Sequence, residues 1–399
     1  MMSIKGKTIV LGVTGSIAVY KAVDLASKLT QAGAKVEVIM TDASTEFVSE
    51  LTFRNITGRP VVTKMFELAS EYSVEHVALA EAADIVVIAP ATANTIAKLA
   101  VGIADDMLAC TVLATKAPVI IAPAMDVNMY ENAITQENLA KLRARDFKIV
   151  GPGYGRLASG MIGMGRFVDV SKIFVTICQV LGGKGDLAGK QLVITAGGTQ
   201  EPIDPVRCLT NYSSGKMGYA LARAARDRGA HVKLITAPAA LPRPAGIDVI
   251  DICTAQEMYE AVKLNVAKAD VLIMAAAVAD YRPVKSSKKK IKRQDSSGIS
   301  LELERTPDIL NEIKGNFIRV GFAAESDNLI ANAREKQKNK QLDLIVANDI
   351  TAADSGIGSD DNRVTIIDSK SETEDLPLMP KTEVADRILD KIVQILNTK

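Results

Sequence analysis

The chain repeats its own opening, and that repeat limits the folds open to it. GKTIVLGVTGSIA…AGAKVEVIMT (6–41) is answered by GKQLVITAGGTQ…RGAHVKLITAP (189–238). Each copy reads as an apolar strand, a small-residue loop, a helix and a second apolar strand, a β-loop-α-β unit. In the first copy Thr14-Gly15-Ser16 is the tight turn, and Ile17, Ala22, Leu25 and Leu29 fall at helical spacing before Gly33, a natural left-handed stop. In the second, Asn211-Tyr212-Ser213-Ser214-Gly215-Lys216 follows a proline-rich insertion and delivers the chain into a helix marked by Met217, Ala220, Leu221 and Ala224. The expectation is an α/β protein of two doubly wound domains. A length of 399 residues allows two to three domains. The seam falls at Leu181-Gly182-Gly183-Lys184-Gly185-Asp186, where three glycines leave little to pack; 182–189 reads as a linker between 1–181 and 190–399.

The chemistry of these units sits at their strand ends. Apolar runs at 85–89, 119–122 and 271–277 lead into the loops PATANTIAK, PAMDVNMYEN and VADYR. Parallel strands bring such loops side by side at the carboxyl edge, where ligands bind. Backbone N–H groups, hydroxyls and an ammonium at the 211–216 helix start suit a phosphate; the plainer alternative is a helix cap built from Ser213 and Ser214. No Walker pattern or intact G-x-G-x-x-G is present, which speaks against an NAD-dependent dehydrogenase. KSSKKKIKR (285–293) carries six basic residues in nine, either a solvated loop or a flap over a polyanion. Residues 319–324 and 342–347 supply further strands, 350–375 a polar hairpin rim, and 383–396 a closing amphipathic helix.

Composition removes whole classes of function. A net charge of +1 argues against a general nucleic-acid or membrane-surface role. Four cysteines without C-x-x-C spacing and only two histidines give no zinc or disulfide framework. The opening MMSIKGKTIVLGV reads as a strand rather than a leader, and no apolar run reaches the ~18 residues of a membrane span. A soluble cytoplasmic protein is expected.

Six ordered stretches of the second half carry a resemblance: ITAGGTQEPIDPVR, NYSSGKMG, AAVADYR, KIKRQ, GFAAE and LDLIVAND. Over nearly its whole length the chain resembles the bifunctional phosphopantothenoylcysteine decarboxylase/phosphopantothenate–cysteine ligase family of coenzyme A biosynthesis. The resemblance implies an N-terminal flavoprotein-type parallel sheet and a C-terminal Rossmann-like ligase domain. It implies activation of the 4′-phosphopantothenate carboxylate by CTP with Mg²⁺, then attack by the cysteine amine on the acyl cytidylate. Such a reaction needs charge neutralisation and in-line placement more than a protein nucleophile. By the resemblance Lys290 is the catalytic lysine on a flap, assisted by Lys292, and Asn211 holds the acyl intermediate. Ser213, Ser214, Gly215 and Lys216 line the phosphates, with a surface role for Lys216 left open. Asp280 accepts from the cytosine amino group, so UTP would leave that acceptor unpaired. Phe322 and Lys336 are weaker candidates for substrate contact, and Asp349 is a guess for a cation neighbour.

The first half resembles FMN-dependent cysteine decarboxylases. FMN would serve as a transient oxidant, making a thioaldehyde that takes up the electrons left by CO₂. Gly15, Ser16, Thr41, Ser44, Thr92, Asn94 and Thr95 would hold FMN, and His76 would be the base for the thiol proton. Asp126, Met129, Gly160 and Arg166 would contact substrate. Two stretches depart from the family pattern, the first of them also at Tyr130, where Trp is frequent. Asp126 stands where Asn is usual, and Ser159, in RLASGMIGMGRF, where a cysteine protonates the enethiolate. A hydroxyl is a far weaker acid than a thiol. The final proton would then come from another donor, water or Ser159 in a relay. Alternatively the flavin half is slow or oxidative, or a non-catalytic flavin-binding module. The resemblance also implies homo-oligomers, trimeric through the flavin domains and dimeric through the ligase domains, with sites between subunits.

Overall fold

The computed structural model describes residues 4–65, 75–183, 185–292, 300–325, 328–349, 358–370 and 372–398. The chain forms two compact units, Met1–Gly183 and Lys184–Lys399. The helix Val170–Gly182 runs into the start of the expected linker, and Leu187 within it is fully buried in the core of the second unit.

In the first unit six parallel strands form one sheet: β1 (Thr8–Val13), β2 (Lys35–Met40), β3 (Val61–Val62), β4 (Ile85–Ala91), β5 (Val119–Pro123) and β6 (Lys148–Ile149). Their order is β3-β2-β1-β4-β5-β6. Every residue of β4 is buried, the near-continuous apolar run required of a strand covered on both faces. One face packs on the helices Val19–Gln31 and Val170–Gly182, the other on Ala93–Val101, Met107–Ala114 and Ala133–Ala144. An antiparallel hairpin, β7 (Gly153–Arg156) and β8 (Ile162–Arg166), stands outside the sheet.

The second unit repeats the plan with additions. Its strands are β9 (Gln191–Ala196), β10 (Gln200–Asp204), β11 (Arg207–Thr210), β12 (His231–Thr236), β13 (Asp248–Asp251), β14 (Val271–Met274), β15 (Tyr281–Pro283), β16 (Leu303–Arg305), β17 (Ile318–Glu325), β18 (Leu344–Asp349), β19 (Asp361–Asp368) and β20 (Thr373–Pro380). The main sheet runs β13-β12-β9-β14-β17-β18-β19-β20, parallel through β18 and antiparallel beyond it. The hairpin expected over 350–375 is present as β19–β20, running on to Pro380 and extending the main sheet, while 350–357 and 371 lie outside the described residues. Val364, Ile366 and Ile367 are buried on β19, which explains why it joins the sheet rather than capping it. The proline-rich insertion folds as the hairpin β10–β11.

Both sheets change direction beside their first strand. In the first unit the order reverses between β1 and β4, in the second between β9 and β14. Those reversals open a crevice at the carboxyl ends of the strands.

Candidate active sites

At the first crevice one buried threonine joins two loops. Thr14 donates its hydroxyl to the Pro90 carbonyl at 2.7 Å and accepts from the Thr92 N–H at 3.0 Å. Thr92 then caps the helix Ala93–Val101, accepting from Thr95 N–H at 3.3 Å. Gly15 allows the third loop to close in, since a Cβ there would stand 2.6 Å from the Ala43 Cβ.

Two adjoining cavities result. One, of about 590 Å³, is lined by Gly15, Thr41, Thr92, Asn94 and Thr95. The other, of about 680 Å³, is lined by Ser16, Asp126, Ser159 and Arg166, and both share Gly15, Thr92, Ala93 and Met129. Thr41 Oγ1 is buried and has no hydrogen-bond partner among the described residues. A hydroxyl left in that state on a cavity wall fits a ligand acceptor such as a flavin phosphate. Ser44 is buried, lines neither cavity, and donates to the Thr41 carbonyl at 2.6 Å, so it braces the loop that carries Thr41. Gly160 sits in the turn between β7 and β8 with φ +86° and lines neither cavity. His76 lies on the helix Glu75–Ala82 and lines neither cavity.

The two departures from the family pattern meet. Ser159 Oγ donates to Asp126 Oδ2 at 2.6 Å, while Asp126 Oδ1 accepts the Asn128 N–H at 3.0 Å. The Ser159 hydroxyl, and after it the Asn128 amide, holds the Asp126 carboxyl below its ordinary range. Ser159 has a single proton to donate, and here it is directed at Asp126. Sequence reasoning passed over Lys98, which lines the smaller cavity between Asp105 at 2.7 Å and Asp106 at 3.0 Å. The hydrogen bond that Lys98 donates to Asp105 pushes its ammonium above the usual value. It also passed over Lys21 and Arg156, which add cations to the larger cavity.

At the second crevice the stitching recurs. Thr199 Oγ1 accepts from the Ala279 N–H at 2.9 Å, and Thr195 Oγ1 from the Ala276 N–H at 3.1 Å. Asn211 Nδ2 donates to the Val278 carbonyl at 3.1 Å, fixing the loop before the helix Lys216–Asp227 against the end of β14. A cavity of about 400 Å³ gathers Asn211, Ser213, Ser214, Gly215, Lys216, Asp280, Phe322 and Lys336. A neighbouring one of about 480 Å³ shares Asp280, Phe322 and Lys336 and adds Arg305, Thr306 and Lys340. Asn348 Oδ1, on the wall of the first, is buried without a partner among the described residues. An unpaired hard oxygen at that place suits a divalent cation held mostly by substrate phosphates. Of Asp349 only the backbone is described, and the described residues hold no cluster of three or more metal-ligating His, Cys, Asp or Glu.

Lys290 and Lys292 line neither cavity. Their loop is anchored at Ile291, whose N–H donates to Asp204 Oδ2 at 3.1 Å and whose carbonyl accepts from Arg207 at 2.8 Å. Arg207 holds the Asp204 carboxyl far below its ordinary range, so this anchor stays ionised.

The fold and its two crevices define a class: a flavoprotein domain joined to a nucleotide-site α/β domain. A flavoprotein family model matches residues 2–182, and the DNA/pantothenate metabolism flavoprotein C-terminal domain matches residues 187–396. The chain is 45% identical to the coenzyme A biosynthesis bifunctional protein CoaBC of Bacillus subtilis, covering 98% of each. It is 42% identical to that of Vibrio vulnificus, covering 99% of this chain and 100% of the relative. A crystal structure of the C-terminal domain of a CoaBC protein is 41% identical, with a TM-score of 0.47, covering 54% of this chain and 100% of that one. The chain belongs to the CoaBC family of bifunctional coenzyme A biosynthesis proteins. It is a phosphopantothenoylcysteine decarboxylase and phosphopantothenate–cysteine ligase in one polypeptide.

Proposed function

We propose that the second unit joins cysteine to 4′-phosphopantothenate through a CTP-derived acyl cytidylate, and that the first unit then decarboxylates the product with FMN. The observation that carries the ligase reading is one cavity gathering Asn211, Ser213 to Lys216, Asp280 and Lys336 from separate strand ends. Asn211 is oriented by Val278 to hold the activated acyl group, and Ser213, Ser214 and the N–H groups beyond Gly215 receive phosphate oxygens. Asp280 accepts the cytosine amino group, with Phe322 and Lys336 beside it. Mg²⁺, fitted by Asn348, would neutralise charge on the phosphates. Lys290 and Lys292, on the loop anchored at Ile291, supply the remaining positive charge.

For the first unit, Thr41, Thr92, Asn94 and Thr95 hold FMN, with Gly15 at the junction of the cavities and Ser16 beside it in the larger one. FMN supplies the two-electron oxidation that makes decarboxylation possible. Arg166 and Met129 position the substrate. Ile17 at 62% exposure, Tyr20 at 63% and Met129 at 50% stand on the rim of the larger cavity and support closure by a second copy of the chain. Closure of that kind would bring His76 of a neighbouring subunit to the thiol. Trimeric flavin domains and dimeric ligase domains follow as the proposed assembly, in the cytoplasm; among the described residues no helix is long and apolar enough to cross a membrane.

A second reading of the decarboxylase rests on the Ser159–Asp126 bond. With its proton directed at Asp126, Ser159 is a poor donor to the enethiolate, and the reaction would then end at the enethiol, its two electrons left with FMN for an external oxidant such as dioxygen. Mass spectrometry of the products from CTP, Mg²⁺, phosphopantothenate and cysteine separates the readings. 4′-Phosphopantetheine marks the full sequence, a product two hydrogens lighter marks the enethiol ending, and accumulated phosphopantothenoylcysteine marks ligation alone.

A further inference from the structure

Two helices of the second unit open with a lysine, and both lysines reach the same cavity. Lys216 begins the helix Lys216–Asp227 and Lys381 begins Lys381–Thr398; the helices pack on one another through Leu221, Ala224, Val384 and Ile388. A cation at a helix N-terminus opposes the helix dipole, so neither position is favoured by helix formation. Lys381 is also half-buried, and burial, followed by the charge of Lys216, pushes its ammonium below the usual value. Two cations and two positive helix ends thus face one cavity of about 400 Å³.

One short segment occupies both ammoniums. Lys216 Nζ donates to the Gly358 carbonyl at 2.7 Å and to Asp360 Oδ1 at 2.8 Å. Lys381 Nζ donates to the Ser359 carbonyl, and its backbone N–H to the Asp360 carbonyl at 3.0 Å. The Asp360 side chain is 90% exposed, so its carboxylate can swing into solvent at little cost.

We infer that Lys216 and Lys381 form a clamp for the polyphosphate of the nucleotide and the pyrophosphate it releases, with Asp360 as an internal anion that the ligand displaces. The inference rests on the nucleotide reading of this cavity and adds Lys381 and Asp360 to it. Lys381 is a binding residue; Asp360 sets affinity by competition. An internal competitor keeps the paired cations neutralised between turnovers and weakens retention of pyrophosphate, a product that must leave.

Inorganic pyrophosphate with Mg²⁺ is the direct probe, titrated calorimetrically into the full-length protein. Lys381→Gln is expected to weaken pyrophosphate at least tenfold, and Lys381→Arg to retain most of the affinity. Asp360→Asn is expected to tighten it threefold or more and to slow turnover when product release limits. Wild-type affinity in both Lys381→Gln and Asp360→Asn overturns the clamp. The Asp360 variant alters an exposed side chain, so it stays informative if Lys381→Gln melts early. Failure of the nucleotide reading has a different signature: pyrophosphate bound by the wild type, with no CTP-dependent ligation product.

Discussion

Gly165 is where the β7–β8 hairpin of the first unit meets the loop after β5, and Gly165→Ala tests that contact. Its φ is +134°, and a Cβ would lie 2.3 Å from the Met125 carbonyl oxygen. The same residue accepts the Met125 N–H at 3.1 Å, so the two strands of chain are held at backbone contact. A non-glycine residue in such a region costs about 1–3 kcal/mol. Relieving the clash by shifting backbone costs about 1–3 kcal/mol more. The sum, about 2–6 kcal/mol, opposes the seated position of β8 beside Asp126. At 1.36 kcal/mol per factor of ten, even the low end lowers the equilibrium constant for the seated hairpin about thirty-fold. Decarboxylation of supplied phosphopantothenoylcysteine is read as CO₂ release, and ligation in the same preparation as pyrophosphate release from CTP. The expected outcome is at least a thirty-fold loss of the first with the second unchanged. A variant that decarboxylates within threefold of the wild type refutes the reasoning.

Four further outcomes are expected. The folded pKa of Asp126 is depressed, so the Ser159 bond is formed above the ordinary carboxylate value of about 3.9 and is lost only as pH falls through the lowered one; a wild-type decarboxylation profile with no Asp126-dependent limb between pH 5 and 8, compared with Asp126→Asn, checks the sign. Ser159→Cys places a stronger acid in the β7–β8 turn and is expected to raise the share of fully reduced product, seen as a mass ratio. Lys290→Ala is expected to lower ligation at least a hundredfold while the flavin spectrum stays unchanged. Asp280→Asn, able to donate to a uracil carbonyl, is expected to cut the preference for CTP over UTP at least tenfold in kcat/KM.

Much of this was legible from residue order, for identifiable reasons. Strands buried on both faces leave uninterrupted apolar runs such as Ile85–Ala91, and strand-end loops carry small polar residues, so the two crevices and most of their walls could be read directly. What escaped was contact made across long separations. Nothing local to Lys381 announces that its amine lies near Lys216, 165 positions earlier in the chain (381 less 216). The only hint was a cation at the start of a helix, where an acidic residue or a cap is usual. Asp126 and Ser159 were each recognisable as departures, but their hydrogen bond depends on how the β7–β8 turn folds over the sheet. The bond that Ser44 makes to the Thr41 carbonyl was not legible, because a serine in a ligand loop and a serine bracing that loop have the same sequence signature. That β19 joins the main sheet was not legible because charged residues at its ends mask Val364, Ile366 and Ile367.

The most direct test follows the carboxylate oxygen. Phosphopantothenate labelled with ¹⁸O in its carboxylate is incubated with the full-length protein, CTP, Mg²⁺ and cysteine, and both products are weighed by mass spectrometry. An acyl cytidylate made in the second unit and a decarboxylation in the first predict CMP carrying the label together with 4′-phosphopantetheine. Unlabelled CMP, or no CMP at all, would contradict the account.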